Sequence, residues 1–191
     1  MERVAIIDGC RTPFAKAWTD FINLNSLDLA KIAASELINK TELDPEVIDE
    51  VIMGTVFSSI NCPNIAREIV IGLGLPKRIP GFTLNRACSS SIQSLTCGAE
   101  SIMAGKNQVV IAGGAESLSQ VEVPYSQEIM LVLQKFSKAK SLQEKISLLT
   151  QINIKDLIPS MPNIGELSTG HSMGEHAEIM ARKNGISRQE Q

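Results

Sequence analysis

The chain has 191 residues with 18 Lys+Arg against 21 Asp+Glu, a formal charge of −3, and only 4 % aromatic residues. This length holds one ordinary domain and part of another, with enough chain to bury a sizeable core. Neither the broad positive field that holds a phosphate backbone nor the stacking platforms that hold single strands can be drawn from this composition, so no nucleic-acid partner is expected.

After Met1, Glu2 and Arg3 come only four consecutive apolar residues, Val4 to Ile7, too few for a signal-peptide core, and no stretch approaches a membrane span. A soluble protein is expected, with Cys10, Cys62, Cys88 and Cys97 as reduced intracellular thiols. The run RVAIID (3–8), closed by Gly9 and Pro13, predicts a buried strand. Ser26 then caps a helix over 26–40 that places Leu29, Ile32, Ala33 and Leu37 on one face. Asp44 and Pro45 open one short turn, VIMGTVF (51–57) reads as a second strand, and NIAREIVIGLGLP (64–76) as a helix stopped by Gly72, Gly74 and Pro76. Those glycines end a helix and do not follow a strand, which argues against a nucleotide loop.

GFTLNRA (81–87) is a third strand. Residues 88–104 follow as a helix with Ile92, Leu95, Ala99 and Ile102 at helical spacing, up to Gly105. QVVIAGGAES (108–117) is a continuous apolar strand whose paired glycines admit a close neighbour. Strand and helix alternate to residue 117, so the expected class is α/β with a parallel sheet wound by right-handed crossovers. Beyond Ser117 the pattern changes to helical spacing over 126–151, a loop-like stretch over 155–174, and a helix in EHAEIMARKNG ended by Gly185. SRQE (187–190) has the form of a capping box, with Ser187 as cap and Glu190 three residues on, so a further helix is announced and the chain reads as the front part of a longer protein.

The junction LNRACSSSIQSL (84–95) places one thiol between a predicted strand and a predicted helix. Unpaired N–H groups and the positive end of the helix dipole favour a thiolate there, and Ser89, Ser90 and Ser91 are small enough to leave it open to a substrate. The arrangement is the thiol counterpart of a nucleophile elbow. A small buried hydrophobe remains the alternative for Cys88, and is the reading for Cys10, Cys62 and Cys97. Cys97 lies about 13 Å along the helix from Cys88 and on roughly the opposite face, too far to cooperate with it. His171 and His176 read as ordinary polar residues, and a five-residue spacing on a helix does not suit a shared metal; no metal site and no cofactor are predicted.

The stretch LNRACSSSIQSLTCGAESI resembles the active-site signature of the thiolases, with Asn85, Cys88, the small residues after it, Leu95 and Ile102 at the family spacing. The resemblance runs on through GCRTPF (9–14), NIARE (64–68), VVIAGGAESLS (109–119) and HSMGEHAEIMARKNGISRQEQ (171–191). PYSQEIMLVLQKFSKAKSLQEKISLL further resembles the insertion in the thiolase subunit of fatty-acid β-oxidation complexes. The resemblance implies a thiolase-like fold: an incomplete first βαβαβαββ half over 1–117, lacking its last strand, and the start of an inserted loop domain over 118–191.

It also implies the chemistry. Cys88 as thiolate would attack the keto carbon of a 3-ketoacyl-CoA, release acetyl-CoA and carry the shortened acyl group to CoA, with its own backbone N–H stabilising the thioester oxygen. Met173 falls where the family places a methionine against the acyl pocket. Some relatives have a histidine at Ser172. The family's activating histidine, its second cysteine and the asparagine that places a water belong to the second half, so these 191 residues alone are expected to turn over little or nothing. Implied partners are CoA and acyl-CoA substrates, a second copy in a homodimer or higher oligomer, and a hydratase/dehydrogenase subunit. Two other readings stay open: an acetoacetyl-CoA thiolase or related condensing enzyme, and a non-catalytic truncated domain with an interaction role; a cysteine hydrolase is disfavoured because no histidine stands in a suitable partner context. For residues 126–151 a docking or membrane face stands against a solvated amphipathic helix.

Overall fold

Two of the three consecutive residues Val51, Ile52 and Met53 must point to opposite faces of any strand they form, and all three are buried, so the strand they define has to be covered on both sides. It is β1 (Glu50–Gly54), the centre of a parallel sheet in a computed structural model that describes residues 3–122, 125–150, 152, 153, 158 and 165–191. β2 (Gly81–Leu84) pairs with it on one side, from Val51↔Gly81 to Gly54↔Leu84, and β3 (Val110–Gly114) on the other, from Glu50↔Val110 to Gly54↔Gly114. The chain divides into two compact units, Met1–Glu122 and Val123–Gln191, and the sheet belongs to the first.

Helices α1 (Ser26–Thr41) and α2 (Ile65–Gly72) cover the face that carries Val51, Met53 and Ile111, with Ala30, Ala34, Ile65, Ala66, Ile69 and Val70 in the core. Asn25, not Ser26, caps α1. Its side chain accepts from Asp28 N–H at 2.9 Å while the Asp28 carboxylate accepts from Asn25 N–H at 3.2 Å, a reciprocal box that Ser26 has no partner to form. The buried residues of α1 are Leu29, Ala30 and Ala34, with Leu37 packed against the core as the spacing predicts, whereas Ile32 is exposed because the alanines let two helices approach closely. α2 ends at Gly72, followed by Gly74 at φ +67, as a helix stop and not a phosphate loop.

Helix α3 (Ser90–Met103) covers the opposite face, where Ile52, Val110 and Ala112 point. The sequence predicts an apolar contact surface through Ile92 and Leu95. The structure corrects this: the buried residues of α3 are Ser90, Ser94 and Gly98, spaced by four, and Ile92 is 65 % exposed. Small side chains win this face because the sheet is very close. A Cβ on Gly54 would overlap the backbone of Ser90, one on Gly114 would meet the Ser91 hydroxyl, and one on Gly98 would lie 3.1 Å from Val110 Cγ1. Ser94 Oγ sits 2.6 Å from Gly113 O and so satisfies a polar group in a fully buried position.

The strand expected over 3–8 is absent. Its residues pair with no strand, and Ile6 and Ile7 are 82 % and 86 % exposed. An apolar run becomes a parallel strand only where a neighbour offers its edge and helices cover both faces, and residues 3–8 have neither.

In the second unit the helical stretch 126–151 forms α4 (Gln127–Lys138) and α5 (Leu142–Leu149), capped by Ser126 and Ser141 and separated at Ala139, which is extended. Of the loop-like stretch 155–174, residues 155–157 and 159–164 lie outside the described residues. α6 (Met173–Lys183) starts in a capping box between Ser172 and Glu175 and is followed by Gly185 at φ +66. The Ser187–Glu190 box is also formed, with Ser187 N–H donating to the Glu190 carboxylate at 2.7 Å and Glu190 N–H to Ser187 Oγ at 3.3 Å. Among the described residues no helix is long and apolar enough to cross a membrane.

Two measurements test this packing. Gly54→Ala forces β1 and α3 apart and should cost about 1–3 kcal/mol, read as a lower urea midpoint at unchanged m-value. Asp49 accepts from Val109 N–H at 2.9 Å and Gln108 N–H at 2.6 Å, and these bonds hold its carboxyl below the ordinary range. A carboxyl lowered by folding stabilises the fold above the unfolded value of about 3.9 and loses that effect as pH falls through the folded value. Asp49→Asn should therefore lower stability at pH 7, and the gap to the parent should close in acid.

Candidate active site

β2 delivers the chain to residues 85–89, and the turn there is tighter than the sequence implies, because α3 begins at Ser90 and leaves Cys88 ahead of the helix. Ala87 takes a left-handed conformation at φ +47. A side-chain-bearing residue pays about 1–2 kcal/mol there, so the surroundings must enforce it. They do so by closing the turn on itself: Ser89 N–H and Ser90 N–H donate to Arg86 O and Ala87 O, each at 3.1 Å. Ser90 Oγ accepts from Arg86 N–H at 2.9 Å and donates to Ala87 O at 2.6 Å. The buried Ser90 thus locks the elbow and fits against Gly54; this, more than open access, is what the small residues after Cys88 provide.

Cys88 itself is exposed, at the carboxyl ends of the three parallel strands, where open α/β sheets bind their ligands. A cavity of about 710 Å³ includes Cys88 in its wall together with Phe14, Phe21, Leu29, Val56 and Leu118. The segment walling it is strapped down by polar contacts. Ser117 Oγ donates to Leu24 O at 2.7 Å, Gln120 Nε2 to Ile22 O at 2.6 Å, and Trp18 N–H to Ser119 Oγ at 2.9 Å. Trp18 is also left-handed, at φ +61.

Cys10, Cys62 and Cys97 are free and half-buried, and burial pushes the Cys62 thiol up. The histidines need a correction. His171 precedes α6, so helical phase does not separate it from His176, and the two rings meet edge to face with centroids 5.5 Å apart. His176 Nε2 lies 3.1 Å from both Glu166 Oε2 and Thr169 Oγ1. Among the described residues no group of three or more His, Cys, Asp and Glu is placed to hold a metal. Met173 is the first residue of α6 and is exposed. Glu116, which lies within VVIAGGAESLS and to which the sequence alone assigns no role, bonds to residues 55–57.

Residues 4–191 match the family model of the thiolase N-terminal domain. The chain belongs to the thiolase family. It is 46 % identical over 190 residues to a 3-ketoacyl-CoA thiolase of Colwellia psychrerythraea, a match covering 100 % of this chain and 44 % of that protein. Among solved structures it is similar to a thiolase of Ascaris suum in complex with coenzyme A, at TM-score 0.75 and 25 % identity over 95 % of this chain and 43 % of the other. It is also similar to the human mitochondrial 3-ketoacyl-CoA thiolase in complex with CoA, at TM-score 0.71 and 28 % identity, over 95 % and 42 %. This thiolase sequence therefore spans less than half the length of the relatives it matches.

The exposure pattern predicts which thiol reacts first. Iodoacetamide at neutral pH should label Cys88 ahead of Cys10, Cys62 and Cys97, as read by peptide mapping over time.

Proposed function

We propose that this chain supplies the nucleophile and most of the first half of an acyltransferase that cleaves a 3-ketoacyl-CoA with coenzyme A in fatty-acid β-oxidation. The observation that carries the reading is Cys88: an exposed thiol, on a left-handed elbow at the strand ends, in the wall of a cavity that also presents Arg11 and Lys16, in a chain 46 % identical to a 3-ketoacyl-CoA thiolase. Cys88 Sγ, as thiolate, adds to the keto carbon of the substrate. The bond between that carbon and the α-carbon breaks, the electron pair goes to the acetyl-CoA fragment, and a proton completes acetyl-CoA. The shortened acyl group stays on Sγ as a thioester. Coenzyme A, after losing its thiol proton, attacks the thioester carbon and returns Sγ as thiolate.

Within this reading residues 1–117 are most of the first half, 118–191 open the loop domain, and the backbone N–H of Cys88 steadies the thioester oxygen. Met173 has the acyl-binding role that the family pattern gives to this position. The proton-transferring histidine and cysteine and the water-placing asparagine belong to the second half of the family pattern, so the 191 residues by themselves give little turnover. Coenzyme A is a substrate and no other cofactor takes part. The protein works as a homodimer or higher oligomer, beside a hydratase/dehydrogenase subunit, in the cytoplasm or mitochondrial matrix.

Incubation of the full-length enzyme with acetoacetyl-CoA and with a long-chain 3-ketoacyl-CoA, each with free coenzyme A, should release acetyl-CoA and leave the transient acyl label on Cys88. Cys88→Ala should abolish release and, because the site is exposed, change stability by less than about 0.5 kcal/mol. Undiminished thiolysis by that variant contradicts the assignment.

A further inference from the structure

The backbone of Val56 is held from two sides by side chains that leave the two neighbouring strands. From the β3 side, Glu116 Oε2 accepts Val56 N–H at 2.7 Å, Glu116 Oε1 accepts Thr55 Oγ1–H at 3.3 Å, and Phe57 N–H lies 3.4 Å from both carboxylate oxygens. From the β2 side, Asn85 Nδ2 donates to Val56 O at 2.9 Å. The same Asn85 turns its Oδ1 to Ala87 N–H at 2.8 Å, and Ala87 is the left-handed residue directly before Cys88. One polar chain therefore runs Glu116, Val56, Asn85, Ala87, Cys88, across the exits of all three strands.

We propose that Asn85 and Glu116 are positioning residues for Cys88: through the loop at 55–57 they fix the left-handed elbow and so aim the thiol. Resting on the acyl-transfer reading above, this assigns them a role in the acylation step, exerted through the backbone that carries the thiol, with Glu116 also in the wall of the cavity. Asn85 is suited because its amide offers one donor and one acceptor to two different loops. Glu116 is suited because its two oxygens receive the N–H groups left unpaired where β1 ends. Both act on the same three-residue loop, so their removal should be non-additive.

The test compares Asn85→Ala, Glu116→Ala and the double variant in the full-length enzyme. Two rates are read: acylation of Cys88 in a single turnover, and alkylation of Cys88 by iodoacetamide, which needs no acyl-CoA. A misplaced thiol should slow acylation by about tenfold to a hundredfold at unchanged KM, with alkylation slower by about fivefold, and the double variant should be little worse than the worse single one. Asn85→Asp keeps the acceptor for Ala87 N–H and loses the donor to Val56, so it should fall between Asn85→Ala and the parent. Thermal melts confirm that the variants are folded; one that does not fold is replaced by Asn85→Asp or Glu116→Gln. Both rates within twofold of the parent, or single effects that multiply in the double variant, overturn the proposal. If the parent takes its acyl label elsewhere while the alkylation rates fall as stated, the positioning role survives and the acyl-transfer assignment fails.

Discussion

Everything near the thiol depends on how closely one helix lies on one sheet. Gly54 and Gly114 end two adjacent strands, and α3 opposes them with Ser90, Ser91, Ser94 and Gly98, so backbone meets backbone where side chains normally intervene. This contact is geometrically severe and chemically selective. It leaves no room for a Cβ at Gly54 or Gly114, and it favours hydroxyls on the helix, because carbonyls such as Gly113 O arrive at the interface with lone pairs to satisfy. The serines meet that need, and Ser90 doubles as the lock of the elbow.

A nucleophile on such an elbow has two requirements that pull against each other. It must stand clear of the helix to be reached, and it must not wander. Exposure of Cys88 meets the first, and a set of short polar bonds on each side of it meets the second. The left-handed residue before it carries a conformational cost that only a constrained neighbourhood sustains, and here the constraint comes from the exits of β1, β2 and β3 together. The cavity wall is fastened in the same manner, by Ser117, Ser119 and Gln120 holding a segment almost a hundred residues earlier in the chain.

The sequence made three strands, the helices and the thiol at a strand-to-helix junction readable, since each rests on local periodicity or on turn residues. Caps were less secure: Ser26 and Asn25 are both good capping residues, and only the reciprocal bond with Asp28 separates them. Faces failed for a definite reason. Periodicity marks apolar residues such as Ile92, Leu95 and Ile32 as inward, whereas close packing here selects serine, glycine and alanine, which carry little hydropathy signal. Residues 3–8 failed for another: strand propensity describes a willingness to pair, and the partner is a tertiary fact. Asn85 and Glu116 both fall in stretches that carry the resemblance, but the polar link between them is not legible in the sequence, because they lie 31 positions apart and are joined only through a third loop.

Trp18 is the single tryptophan of the chain, exposed, left-handed, and tied by its backbone to Ser119 on the strap that walls the cavity. Indole emission is sensitive to solvent and to nearby quenchers, so the chain carries its own optical probe on the segment bonded to that strap. Within these 191 residues, fluorescence from this one ring reports on its backbone tie to the strap without any label.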